Sequence, residues 1–355
     1  MAKKNISIIL IITLLLLTIH GAIVVYIDPF FHFHAPLNSF YYKRSATVER
    51  YTNDGIARHF DFNALITGVS VSEGFCMSEF DSLFGVKSEK IIYSGGTFKE
   101  TGEGISRTLR SKPDTRIVLC SLFLSKLYQD KDHRRSDILD HPTYLYNDFF
   151  LDDVKYIFNK EVLFTYIYPM IKAAKAGEQP GVESYEKQGY LHLSNDDYDY
   201  SDGSWVNNVI APLDKSVFQD ELTESEIKNV ESNVQQNIID IAKRYPDTKM
   251  IYFIPPCSIY HYKQMYKEGS LVKVLQAEEI AINMMLKQEN IEVYSFNDHT
   301  EILEDPKNYN DAVHYVGWVS SFILQNIANE EGKITSDNVD EFLDKEQSYL
   351  TNYNY

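Results

Sequence analysis

The run from Ile6 to Ile27 contains no Asp, Glu, Lys or Arg and consists mostly of Ile, Leu, Val, Thr and Ala. As a helix it is long enough to cross the ~30 Å hydrocarbon layer of a bilayer, and a helix satisfies its own backbone there. Lys3 and Lys4 precede the run, whereas the next Lys or Arg after it is Lys43. That asymmetry keeps residues 1–5 in the cytoplasm and everything from Asp28 onward outside. A cleaved leader needs a shorter apolar core followed by a small-x-small site; His20-Gly21-Ala22 is a poor site and lies inside the run. The expectation is a retained anchor over 6–27 and a single-pass protein in the cell membrane with its main domain extracytoplasmic.

Beyond the anchor, a formal net charge of −17 argues against a nucleic-acid partner, which requires clustered Lys and Arg. Cys76, Cys120 and Cys257 are too few for a disulfide framework and lack metal-site spacing. Residues 28–54 are rich in Pro, Phe, Tyr and His without helical or strand periodicity, as expected of a juxtamembrane stalk. Phe30, Phe31, Phe33, Tyr41 and Tyr42 suggest an aromatic belt at the membrane surface. His32-Phe33-His34 has the alternation of a metal pair, but no nearby cysteine or carboxylate completes a ligand set.

A regular pattern then fills 55–330. Continuous apolar runs at Phe62–Gly68, Lys90–Tyr93, Arg116–Leu122, Met250–Ile254 and Ile291–Phe296 read as buried strands. Between them come helical stretches over Val71–Phe84, Thr97–Arg110, Thr223–Tyr245 and Leu271–Gln288, with a last one at Gly317–Ala328. Thr223 and Glu226 have capping-box spacing. The pattern breaks between Ser125 and Glu221, read as an irregular insertion (125–221) with one helical piece at Val154–Ala176. Within it, the acidic tract 195–202 offers carboxylates for Ca²⁺ without the spacing of a calcium loop, and Trp205 stands among tyrosines as a candidate sugar-binding surface. Residues 331–355 read as an acidic tail. Alternating strands and helices with fully apolar strands predict an α/β protein: a flavodoxin-like three-layer sandwich around a parallel sheet of about five strands. Its ligand site belongs at the carboxyl ends of the strands.

The loops at those ends contain Gly68-Val69-Ser70-Val71-Ser72, Ser94-Gly95-Gly96, Ser121 and its successors, Pro255-Pro256-Cys257, and Asn310-Asp311-Ala312-Val313-His314. A hydroxyl, an imidazole, a carboxylate and amide donors are what nucleophilic acyl chemistry needs. Ser72 is a rival nucleophile and Asp298-His299 a rival pair, though adjacent residues lack the separation that lets a carboxylate reach the imidazole from behind.

Over about Phe62 to Ala328 the chain resembles the SGNH/GDSL hydrolase superfamily. Gly68-Val69-Ser70 matches its Gly-x-Ser turn, Gly95-Gly96 its second motif, and Asp311-x-x-His314 its C-terminal pair. It looks most like the anchored extracytoplasmic branch that includes the teichoic-acid D-alanylation and alginate O-acetylation proteins. The resemblance implies Ser70 as nucleophile, His314 as general base and Asp311 as orienting carboxylate, with the backbone of Ser70 and of Gly95 or Gly96 facing the oxyanion. It also implies an esterase or O-acyltransferase acting on a cell-envelope glycopolymer, with a membrane-bound acyltransferase as partner and no cofactor or metal. The chain departs at the third motif, where Gly-x-Asn-Asp is replaced by Cys120-Ser121-Leu122-Phe123. An oxyanion donor lost in this way costs about 3–4 kcal/mol of transition-state stabilisation, and Ser121 is the nearest substitute. The alternative is a catalytically inactive relative that binds polymer or protein partners in envelope assembly.

Overall fold

The computed structural model describes residues 2–45, 47–136, 141–186, 201–208 and 217–354. The chain divides into two compact units, Met1–Asp61 with Asp137–Ser184, and Phe62–Ser136 with Tyr185–Tyr355.

The first unit begins with helix α1, Ala2–Ile27, which is long and apolar enough to cross a membrane. The chain leaves α1 through Asp28, whose carboxylate accepts the amides of His32 (3.0 Å), Phe33 (2.6 Å) and His34 (3.1 Å) and the hydroxyl of Tyr156 (2.7 Å). One buried carboxylate thus organises the turn below the helix. Residues 28–54 are not a free stalk: Phe30 and Val48 join Val24, Ile27, Leu145, Tyr156, Val162 and Ile167 in one apolar core. This core also explains why the expected aromatic belt does not form from those residues, since Phe30, Phe31 and Tyr42 are buried inside the unit. Residues 141–184, read as part of an insertion, supply the other half of that core through Leu145, Tyr156, Val162 and Ile167. His32 is accounted for without a metal, because its Nε2–H donates to Asp153 (2.9 Å) while Arg58 donates to its Nδ1 (2.9 Å).

The second unit holds a mixed α/β arrangement on one parallel-rich sheet. Its strands are β1 (Ala64–Gly68), β2 (Ser88–Ile92), β3 (Ile117–Ser121), β4 (Lys249–Ile254), β5 (Ile291–Ser295) and β6 (Lys333–Ile334), in the spatial order β2-β1-β3-β4-β5-β6. All neighbours are parallel except β5 and β6. Every residue of β1 and β3 is buried, so both faces of the sheet centre are covered and the strands read as uninterrupted apolar runs. The sheet has six strands, not about five. The extra one comes from 331–355, which is no tail: Val339–Asn352 forms a helix that buries Val339, Glu346 and Leu350. Glu346 accepts from Asn297 Nδ2 (2.5 Å) and interacts electrostatically with the equally buried Glu278 of the helix Leu271–Met285. Burial raises the pKa of both carboxyls, Glu346 to about 7.

The capping box at Thr223 and Glu226 is present, and a second closes the start of the helix Phe98–Ser111 at Thr97 and Glu100. The helix Ile259–Lys267 carries no clean apolar period and follows Pro255-Pro256, which hides it from the sequence pattern. Of the tract 195–202, residues 195–200 lie outside the described residues. Trp205 donates its indole N–H to the carbonyl of Pro306 (2.9 Å) and meets Tyr260 edge-on. The three cysteines are free thiols.

Candidate active site

The order of strands reverses on either side of β1, the switch point beside whose carboxyl edge open α/β sheets bind their ligands. Gly68 ends β1 at φ +120°, a shape that side-chain-bearing residues rarely adopt. A Cβ there would lie 2.1 Å from Ser121 Oγ and 2.8 Å from Ser121 N. The glycine therefore lets β1 close against the end of β3 before the chain turns through Ser70–Ser72.

The hydroxyl of Ser121 lies beneath that turn. It accepts the amide of Val69 (3.1 Å) and the hydroxyl of Ser72 (2.9 Å). Ser121 is thus engaged with the turn and not with a substrate position, which differs from the expectation that it stands in for the missing asparagine. Ser72, the rival nucleophile, is fully buried and engaged in the same contact.

Ser70 instead meets the imidazole. Its Oγ lies 2.8 Å from His314 Nε2, and His314 Nδ1 lies 2.7 Å from Asp311 Oδ2. The other carboxylate oxygen accepts the amides of Val313 (2.8 Å) and His314 (2.9 Å). Burial acts to raise the Asp311 pKa, but the hydrogen bond and charge of His314 and the two amides outweigh it. The carboxyl is left below its ordinary value. With Asp311 ionised and accepting from Nδ1–H, Nε2 carries the lone pair that accepts the Ser70 proton.

Residues that the motifs do not mark hold this pair in place. The loop is a short hairpin closed by the Tyr309–Tyr315 bridge and by Asn310 N–H donating to His314 O (2.8 Å). Ser258, after β4, donates its hydroxyl to Ala312 O (2.7 Å), and Tyr309 donates to Pro256 O (2.8 Å). His261 lies close enough to feel the charges of Asp311 and His314. Desolvation, in a wall that includes Leu122, Phe123 and Met265, pushes it down to about 4 and leaves it neutral. A serine after a strand and a tyrosine five residues before a His carry no distinctive sequence signal, which is why Ser258 and Tyr309 escape it.

The loop after β2 lies beside the Ser70 turn, since Gly68 pairs with Ile92 and Tyr93 N–H donates to Gly68 O (2.9 Å). Buried Glu73 accepts the Ser94 hydroxyl (2.5 Å), tying the two loops together. Arg135 donates to Ser94 O (2.8 Å), and its guanidinium covers Gly95, where a Cβ would lie 2.1 Å from Nη1. The two glycines then differ. The amide of Gly96 is used in the turn, donating to Tyr93 O (2.6 Å), and its missing Cβ gives that carbonyl room. The amides of Gly95 and Ser70 donate to no partner among the described residues. Asp298 and His299, the rival pair, are both partly exposed, and His299 turns its Nδ1 toward Glu301.

The structure therefore brings Ser70, His314 and Asp311 into one hydrogen-bonded line, with Gly95 in the adjoining loop, and assigns Gly96 and Ser121 to the scaffold. Among the described residues no cluster of three or more His, Cys, Asp or Glu is placed to hold a metal. Comparison of the chain with family models, with curated proteins and with solved structures returns no match.

Proposed function

We propose that the protein is a membrane-anchored serine esterase or O-acyltransferase of SGNH-like, flavodoxin-type architecture, acting on acyl groups of a cell-envelope glycopolymer outside the cytoplasm. The observation that carries this reading is the Ser70–His314–Asp311 line at 2.8 and 2.7 Å. In the proposed reaction Ser70 Oγ attacks the acyl carbonyl carbon as its proton passes to His314 Nε2. The resulting oxyanion is met by the free amides of Ser70 and Gly95. Collapse expels the alcohol oxygen, which takes the proton from His314, and leaves the acyl group on Ser70. Water or an acceptor hydroxyl then attacks the ester, with His314 as base again. Asp311 stays ionised and stabilises the imidazolium in both halves.

Lys3 and Lys4, in the first turn of α1 ahead of its apolar run, support a cytoplasmic N-terminus, which puts the serine on the side where envelope polymers lie. A membrane-bound acyltransferase fits as the source of the acyl group if the protein is the transferring partner. The test is the O-acyl content of isolated envelope polymer from cells carrying wild-type protein or Ser70→Ala. The proposal expects a changed ester content in Ser70→Ala at equal protein level; identical content in both strains overturns it.

A further inference from the structure

The exposed large apolar side chains are distributed very unevenly. In the second unit they are Leu83 and Phe218 among the described residues, whereas the first unit, apart from α1 itself, exposes Phe149, Phe150, Leu151, Val154, Phe158 and Phe164 within one short segment. Phe150 is 73% exposed and Phe164 66%. Water-soluble surfaces rarely collect so much apolar area in one place.

The segment is continuous with α1. Ile157 and Phe158 both touch the helix at Gly21, where a Cβ would stand 3.2 Å from Ile157 Cγ2, and the ring of Phe158 lies 5.9 Å from that of His20. Gly21 lies six residues before the end of α1 at Ile27, which at 1.5 Å rise per residue is about 9 Å back along the helix axis. A helix whose apolar run ends at Ile27 carries Gly21 inside the hydrocarbon layer, and Phe158 with it. On another side of α1, Ile23, Tyr26 and Ile27 with Ile171 of the helix Tyr168–Lys175 line an apolar groove of about 410 Å³ with Lys175 at its edge. Lys155, Lys160, Lys172 and Lys175 punctuate the segment, long side chains whose ammonium groups reach phosphate headgroups while their stems stay in apolar surroundings.

We infer that residues 149–175 form a second membrane contact, with Phe149, Phe150, Leu151, Val154, Phe158 and Phe164 embedded among the acyl chains of the outer lipid leaflet beside α1. The inference rests on α1 spanning the bilayer. Its occupant is lipid because the face runs without a break into the lateral surface of a helix that itself meets lipid. Tyr168, exposed on the following turn, sits where amphipathic rings gather at the headgroup level. The aromatic belt expected from residues 30–42 is thus supplied from more than a hundred residues further along the chain.

The test uses full-length protein in vesicles of phosphatidylglycerol and phosphatidylcholine whose acyl chains carry bromine, a contact quencher of tryptophan. Phe150→Trp, Phe164→Trp, Leu15→Trp and Phe218→Trp are compared with the wild type, whose Trp205 and Trp318 supply the background. The expected result is blue-shifted, bromine-quenched added emission from Phe150→Trp, Phe164→Trp and Leu15→Trp, and unquenched emission from Phe218→Trp. Quenching of Leu15→Trp alone overturns the inference while leaving α1 in the membrane and marks the face as a site for a protein partner. No quenching of Leu15→Trp overturns the membrane span and this inference together.

Discussion

Replacing Ser121 by alanine removes both hydrogen bonds that hold the Ser70 turn against β3. Val69 N–H loses its acceptor at 3.1 Å and the Ser72 hydroxyl loses its own at 2.9 Å, at positions from which water is excluded. A neutral hydrogen bond contributes about 1 kcal/mol net, and a buried donor left without a partner costs about 1–3 kcal/mol. The fixed Val69 amide loses about 1–3 kcal/mol and the Ser72 hydroxyl, free to rotate, about 1 kcal/mol, a total of about 2–4 kcal/mol. For a unit of this size, about 2 °C of melting temperature goes with each kcal/mol, so thermal unfolding of full-length Ser121→Ala in detergent is expected about 4–8 °C below wild type. Ser72→Ala leaves Val69 paired and is expected to lose only about 1 kcal/mol. The double variant should lose less than the sum of the two, because the singles share one bond. The reasoning is refuted if Ser121→Ala melts within about 1 °C of wild type yet loses a factor of about 10²–10³ in turnover, the signature of an oxyanion donor.

Other consequences are as specific. Gly68→Ala combines a left-handed φ with a 2.1 Å contact to Ser121 Oγ and is expected to destabilise by about 3 kcal/mol or more, read from denaturant midpoints. Asp311 has a folded pKa below that of the unfolded chain. Its stabilising increment is therefore complete above about pH 4 and is lost as pH falls through the folded value, so Asp311→Asn should flatten the acid side of the melting-temperature profile. Glu278 and Glu346 have the opposite sign. Burial raises both, so stability declines as pH rises from the ordinary carboxylate range through about 7, and Glu346→Gln is expected to flatten that decline and to melt higher than wild type at pH 8.

The strands of the second unit were legible because a parallel sheet covered on both faces demands unbroken apolar runs, as Leu65-Ile66 and Val118-Leu119 supply. That Ser70, Asp311 and His314 come together was legible from the motifs of the family the chain resembles and from the rule that sites lie at the carboxyl ends of parallel strands. The roles of Ser121 and Gly96 were not, since a hydroxyl or a glycine does not reveal whether it faces a substrate or the underside of a turn. The first unit was illegible for a different reason. Its core joins Val24 and Ile27 to Leu145, Tyr156 and Val162, contacts that leave no local period in either segment. The C-terminal helix was obscured by its charge, since its buried face includes Glu346, an acid that counts toward solvent exposure in any composition argument.

The nucleophilic character of Ser70 is tested most directly by exposing full-length protein to a fluorophosphonate and locating the adduct by peptide mass spectrometry. A serine whose proton is drawn toward His314 Nε2 at 2.8 Å should carry the adduct at Ser70, with labelling abolished in Ser70→Ala and slowed by a factor of about 10³ or more in His314→Ala. An unlabelled Ser70 in folded wild-type protein, or undiminished labelling in His314→Ala, contradicts the assignment.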